Sequence, residues 1–342
     1  MNPIWVDEEG ALTGQGPELT IDPGVGPDRF RHALESLRAS GREIGFASFT
    51  FDEDEPESVL VIPQSTTLRP SVDVALGHGS GATIVDDGTK RWRTGFRLAM
   101  EAIANDSLAK VVLARQVVVA LPEGLRQDQI VARLTDENPD CYLFAVEGLV
   151  GASPELLVSL KGGRIRTLAL AGTATDPDEL ESVKISEEHR HAAQSVTSIL
   201  SQHLARIDLT EQVIVHHGAM AHVGTRIEGP AIPGTTVAEI LADLHPTAAV
   251  AGTPTKAAMD LIREIEPRSR GRYAGPVGWM NTAGDGVFAI ALRCGQIEGS
   301  RITLFAGGGL VAGSEEDPEL AETELKLAPM LAALSRSSSA RS

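Results

Sequence analysis

The most constraining stretch of this chain is its C-terminal end. An apolar strand bearing an arginine, FAIALRCGQI (288–297), is followed by a strand running into a glycine run, RITLFAGGGLVAGS (301–314), and then by EEDPELAETELKLAPMLAAL (315–334). Asp317 followed by Pro318 predicts a helix start, with an N-cap oxygen and a proline at the first helical position. Glu319, Glu322 and Lys326 then fall at i, i+3 and i+7, so one helix face carries two carboxylates and an ammonium. Hard oxygen ligands a turn apart suit Mg²⁺. Arg293 and the glycine amides beside them suit a substrate carboxylate. The ending therefore points to a site for an anionic substrate and a divalent metal.

The composition is compatible with that. Of 342 residues, 42% are hydrophobic and 23% charged, which is a globular and not a disordered balance. A net charge of −17 argues against binding nucleic acid or an anionic membrane surface, while local cations still decide whether a small anion can bind. No apolar run approaches a membrane-spanning length, and MNPIWVDEEG lacks a signal-peptide layout, so a cytoplasmic location is expected. Cys141 and Cys294 sit in apolar surroundings and read as buried free thiols.

Strand and helix patterns come in blocks instead of strict alternation, which predicts an α+β fold of large mixed or antiparallel sheets with outer helices. Residues 1–88 read as short strands between turns, such as 43–51 and 58–63, with no visible chemistry. From Thr89 a helix pattern runs to about Ser107, and KVVLARQVVVAL (110–121) is a strand by its β-branched density. A helix over 126–135 and several strands over 141–174 follow, with turns at Gly151–Pro154 and Gly162–Gly163. A long helix is expected over 178–206, a strand around 212–216, and helices around 236–244 and 254–265. The whole is expected to be one domain over 1–342, with a variable N-terminal region over 1–88, a core over 89–335 and a disordered tail over 336–342. A monomer or weak homodimer is the expected state.

Eight separated motifs stand in order: KVVLAR (110–115), GASPELL (151–157), LALAGTA (168–174), EEH (187–189), HVGTRIEG (222–229), HPTAAVAGTP (245–254), RGRYAGPVGW (270–279) and the glycine-acid-helix ending. In this order they resemble the chorismate-binding enzymes, and within them the isochorismate synthases. The resemblance covers roughly 90–335 and implies the family's fold and a Mg²⁺-dependent isomerisation of chorismate to isochorismate.

Read alone, Lys110 is a lysine snorkelling at a sheet edge. The resemblance makes it the general base that activates water for attack at C2. That role needs a neutral amine, a shift costing roughly 4–5 kcal/mol of differential solvation. Glu155 is matched to the general acid that protonates the departing C4 hydroxyl, which calls for burial among neighbours such as Leu156 and Leu157. A first-turn helix acid is the plain alternative. The resemblance assigns Glu188 and Glu322 as magnesium ligands, with Glu319 as a direct or water-mediated partner. Ile185 stands where the family often carries an acid, so the charge around this metal differs. Arg293, Tyr273, Gly307 and Lys326 match a clamp for the enolpyruvyl carboxylate. Gly172, Thr173 and His222 match positions lining the pocket.

Within the family, Lys110 and the absence of a lysine at Ala171 favour water as nucleophile over ammonia or an enzyme amine. Alanine at 249 favours a synthase that stops at isochorismate over a salicylate synthase that goes on to release pyruvate. A catalytically silent metabolite-binding homologue is the remaining alternative.

Overall fold

The computed structural model describes residues 2–16, 18–72, 82–135, 138–174, 193–217 and 220–335; for 171–174, 216–217 and 220–222 only the backbone is described. Among these residues two large sheets carry the fold, and every described strand pair is antiparallel. The ten-stranded sheet runs Gly252–Thr253, Lys110–Ala120, Arg301–Val311, Cys294–Glu298, Leu149–Ser153, Tyr142–Val146, Ile4–Asp7, Gly10–Gln15 and Ser65–Arg69, with Thr83–Asp86 also on Lys110–Ala120. The nine-stranded sheet runs Leu209–His217, Met220–Pro230, Arg164–Ala174, Leu156–Lys161, Gly286–Ile290, Pro276–Asn281, Ile44–Ser48, Val59–Ile62 and Leu19–Ile21. The expected α+β class holds. Strands from the first seventy residues are stitched into both sheets.

One apolar cluster joins the sheets, with Phe144, Val146 and Phe305 from one and Phe46, Val158, Val277 and Phe288 from the other. A second lies between the ten-stranded sheet and two helices, Gln127–Thr135 and Glu316–Ser335, and holds Val117, Leu304, Ala306, Ile130, Leu327 and Met330. Strand alternation explains the division: Leu304 and Ala306 point to the helices while Phe305 points the other way.

Several boundaries differ from the sequence reading. A helix at Arg29–Ser40 was not expected, yet Phe30, Ala33, Leu34 and Leu37 are all buried at i, i+3, i+4 and i+7. The helix from Thr89 stops at Ala104, where the chain turns through Asp106 at φ 54°. The helical run that enters the described residues at 193 ends at 200, short of the expected 206; 178–192 and the expected tail 336–342 lie outside the described residues. Gly151 lies in a strand; the turn falls earlier, at Glu147 and Gly148, both at positive φ. The segment 288–297 is not one strand either. Gly286–Ile290 belongs to one sheet and Cys294–Glu298 to the other, and Arg293 turns the link between them at φ 47°. Finally, the closing helix begins at Glu316, so Asp317 lies inside its first turn and pairs with Arg93 at 2.8 Å instead of capping. Both cysteines are buried free thiols. No helix among the described residues is long and apolar enough to cross a membrane.

A buried ion pair secures the strand that starts at Lys110. Arg270, 3% exposed, donates to Glu266 at 2.5 Å, to Val112 O at 2.7 Å and to Val250 O at 3.0 Å. Glu266 also accepts from the Ala114 amide at 2.8 Å, where no strand among the described residues continues the ladder. Neutralising only one partner strands the other's charge in the interior. Glu266→Gln is expected to cost roughly 3–5 kcal/mol of stability, read as a lowered urea midpoint with unchanged m-value.

Candidate active site

The glycine run is what lets the site assemble. In Arg301–Val311 it sits within a strand, where glycine weakens the sheet and marks close approach. Gly307 and Gly309 share one face. A Cβ on Gly307 would stand 2.7 Å from Tyr273 Oη, and one on Gly309 would stand 2.8 Å from Lys110 Cε. On Gly308 a Cβ would lie 3.4 Å from a Glu319 carboxylate oxygen. Three consecutive missing side chains thus make room for a tyrosine hydroxyl, a lysine and a glutamate.

The sheet is also open here. Cys294–Glu298 pairs with Arg301–Val311 only from Arg301 to Leu304, so beyond Leu304 that edge has no ladder partner among the described residues. Lys326 reaches the gap from the closing helix and donates to the Gly307 carbonyl at 2.7 Å while pairing with Glu322 one turn back. Burial pulls the Lys326 ammonium below the usual lysine range, with Glu322 acting against the shift. Glu319 accepts from Ser314 Oγ at 2.7 Å. The sequence reading missed Ser314; a serine just ahead of the helix's acidic face was the available signal.

Arg293 enters from the other side of the gap. It is 6% exposed, and burial lowers its guanidinium to about 10, with Tyr273, Cys141 and Glu322 acting the other way, so it stays a cation at neutral pH. Its left-handed backbone costs on the order of 1–3 kcal/mol, which suits a residue whose side-chain direction matters. Tyr273 is stacked on Phe305 at 4.9 Å and 8° between planes, and burial raises its hydroxyl pKa. Tyr273 and Glu319 thus approach the glycine run from opposite faces, and electrostatic contacts across the gap tie Arg293 to Tyr273 and Glu322, and Lys326 to Glu322, Glu319 and Arg293.

Lys110 and Glu155 form the second group, linked to the first through Gly309. Lys110 opens its strand opposite Val311 and Thr253. Glu155 is not in a helix. It lies where the chain leaves Leu149–Ser153 in one sheet and enters Leu156–Lys161 in the other, with its amide on Ser153 Oγ at 3.2 Å and its carbonyl accepting from Ile290. This crossing puts the carboxyl indoors, 7% exposed, and desolvation raises its pKa to about 8 against the opposing field of Lys110. The result is an acid protonated at neutral pH within the field of an amine.

Thr173 stands directly opposite His222 in the sheet, and the register slips between Ala171 and Thr173, at Gly172. The side chains of all three, and the whole of Glu188, lie outside the described residues. His245 is buried and neutral, its pKa lowered to about 3 by burial, and its Nε2 contacts Phe51 O at 3.0 Å. It supports the wall and belongs to neither group.

The site thus combines a buried acid in the field of a lysine with a group of arginine, tyrosine, lysine and two carboxylates. The chain belongs to the chorismate-binding enzyme family, whose profile matches residues 75–335. It is 35% identical to the isochorismate synthase DhbC of Bacillus subtilis over 90% of this chain and 85% of that one. With the isochorismate synthase EntC of Escherichia coli it shares 32% identity over 95% and 88% of the two chains. The solved structure of a DhbC-type, 2,3-dihydroxybenzoate-specific isochorismate synthase from Bacillus anthracis superposes with a TM-score of 0.86 at 28% identity, covering 97% of this chain and 96% of that chain.

Proposed function

We propose that this chain is an isochorismate synthase that interconverts chorismate and isochorismate by adding water at C2 and expelling the C4 hydroxyl. The observation that carries the reading is the buried, protonated Glu155 in the field of Lys110, next to a cationic clamp. The naming of its relatives supports it independently. Lys110 takes a proton from water as the oxygen bonds to C2. The ring double bonds shift, the C4–O bond breaks, and Glu155 gives its proton to the leaving oxygen. Arg293, Tyr273 and Lys326 hold the enolpyruvyl carboxylate, with the Gly307 backbone alongside.

Two carboxylates of the closing helix suit magnesium, and no group of three potential metal ligands stands among the described residues alone. Glu319 and Glu322 present hard oxygens one turn apart at the edge of the clamp, and Glu188 completes the proposed ligands. When bound, the ion would neutralise the ring carboxylate. Chelation is expected to abolish turnover, and added Mg²⁺ to restore it.

The test is product analysis of purified protein with chorismate, with and without Mg²⁺, plus a pyruvate assay. A magnesium-dependent mixture of chorismate and isochorismate without pyruvate is expected. Salicylate with equimolar pyruvate would assign a salicylate synthase. Substrate-induced thermal stabilisation with no consumption of chorismate would assign a binding protein.

A further inference from the structure

Glu155 has a second opening. Besides lying in the field of Lys110, it lines a cavity of about 90 Å³ whose other walls include Leu170, Ser195, Asp243, Thr247 and Thr255. Lys110, Tyr273, Arg293, Gly307 and Lys326 are not among its described lining residues. The cavity thus meets the acid without drawing on the base or the clamp among its described lining residues. Ser195 and Asp243 are exposed, which places its mouth between the helical run 193–200 and the helix Val237–Leu244. Its volume is several times the roughly 10–15 Å³ that one water needs. The wall offers hydroxyls from Ser195, Thr247 and Thr255, and Thr247 Oγ1 has no hydrogen-bond partner among the described residues.

The proposed chemistry requires water on both sides of the ring. One molecule enters at C2 and another is born at C4. In reverse, a water must attack C4 while the ionised Glu155 takes its proton, because a reversible reaction retraces its own path.

We infer that the cavity beside Glu155 is the water site of the C4 side, which receives the expelled molecule and supplies the nucleophile of the reverse reaction. This rests on the reading of Glu155 as the general acid. The forward step leaves a protonated Lys110, an ionised Glu155 and one water in the cavity. Waters in the cavity then return a proton from solvent to Glu155, and Lys110 releases its own to solvent. Ser195, at the mouth, and Thr247, in the wall, are positioning residues.

Oxygen-18 exchange tests the assignment. Chorismate is equilibrated with the enzyme and Mg²⁺ in ¹⁸O-water, and label is followed by mass spectrometry at C2 of isochorismate and at C4 of recovered chorismate. In the wild type both positions should label together once reversal begins. Ser195→Phe replaces an exposed helix residue and narrows the mouth, so the expelled unlabelled water is trapped and returns. Labelling at C4 should then lag labelling at C2 severalfold, with KM for chorismate unchanged. Thr247→Val keeps the volume but removes a hydroxyl, and should lower kcat in both directions by one common factor. C4 labelling in Ser195→Phe that keeps pace with C2 would overturn the inference, as would an equal slowing of both positions with a raised KM. If the wild type forms no isochorismate at all, the functional reading fails, a result distinct from either outcome.

Discussion

Replacing Glu155 by glutamine is expected to lower turnover by roughly 10²–10⁴-fold and to make the protein more heat-stable at alkaline pH. The two effects share one cause. The carboxyl titrates near 8 in the folded chain, whereas an unfolded glutamate titrates near 4.3. Between those values the folded state holds a proton that the unfolded state has lost, so stability falls as pH rises through the window and levels off above it. The full difference is on the order of 5 kcal/mol. Glutamine never ionises and lacks this slope. Melting curves at pH 5 and pH 9 should show the variant gaining on the wild type only at the higher pH. Wild-type activity should decline through the same alkaline limb, because an ionised Glu155 has no proton to donate. A variant that melts below the wild type at both values would mean that the carboxyl is not held at a cost.

Gly309→Ala is expected to reduce kcat by roughly 10²-fold with little change in melting temperature, the sort of loss that displacing a reacting group by about an ångström produces. The added methyl meets the far end of the Lys110 side chain, which can swing aside, so the fold survives and the amine moves. Gly307→Ala should behave differently. There the methyl meets Tyr273 Oη, on a ring fixed against Phe305, so the carboxylate clamp should suffer and KM should rise. Steady-state kinetics on the two variants separate the roles. Wild-type kcat in Gly309→Ala would remove the argument that Lys110 must hold its position.

The closing motif was readable because its chemistry is local. Glu319, Glu322 and Lys326 are neighbours by helical periodicity alone, and three glycines in a strand advertise close approach before any partner is known. Lys110 and Glu155 became a pair only through topology. The chain crosses between sheets at Pro154 and Glu155, and no periodicity in GASPELL announces a crossing. The same limit hid the break after Ile290: FAIALRCGQI reads as one strand, and only pairing with two different sheets divides it. The helix at Arg29–Ser40 is a different kind of miss. Its apolar spacing was present in the letters but was passed over between turn-rich flanks. The cap at Asp317 failed because its carboxylate is taken by Arg93, an interaction with a partner more than two hundred residues away.

The position of Arg301–Val311 between Lys110–Ala120 and Cys294–Glu298 bears on how the chain comes into being. This strand is the bridge that attaches the edge bearing Lys110 to the rest of its sheet, and it is made after every other described strand of that sheet, just ahead of the helix carrying Glu322 and Lys326. Until then a nascent chain can pair its earlier strands but has no continuous ten-stranded layer and no clamp. A product terminated before this strand would be left with an unjoined sheet and an exposed edge. Joining of the sheet and assembly of the contacts around Lys110 and Tyr273 thus depend on the same stretch of polypeptide.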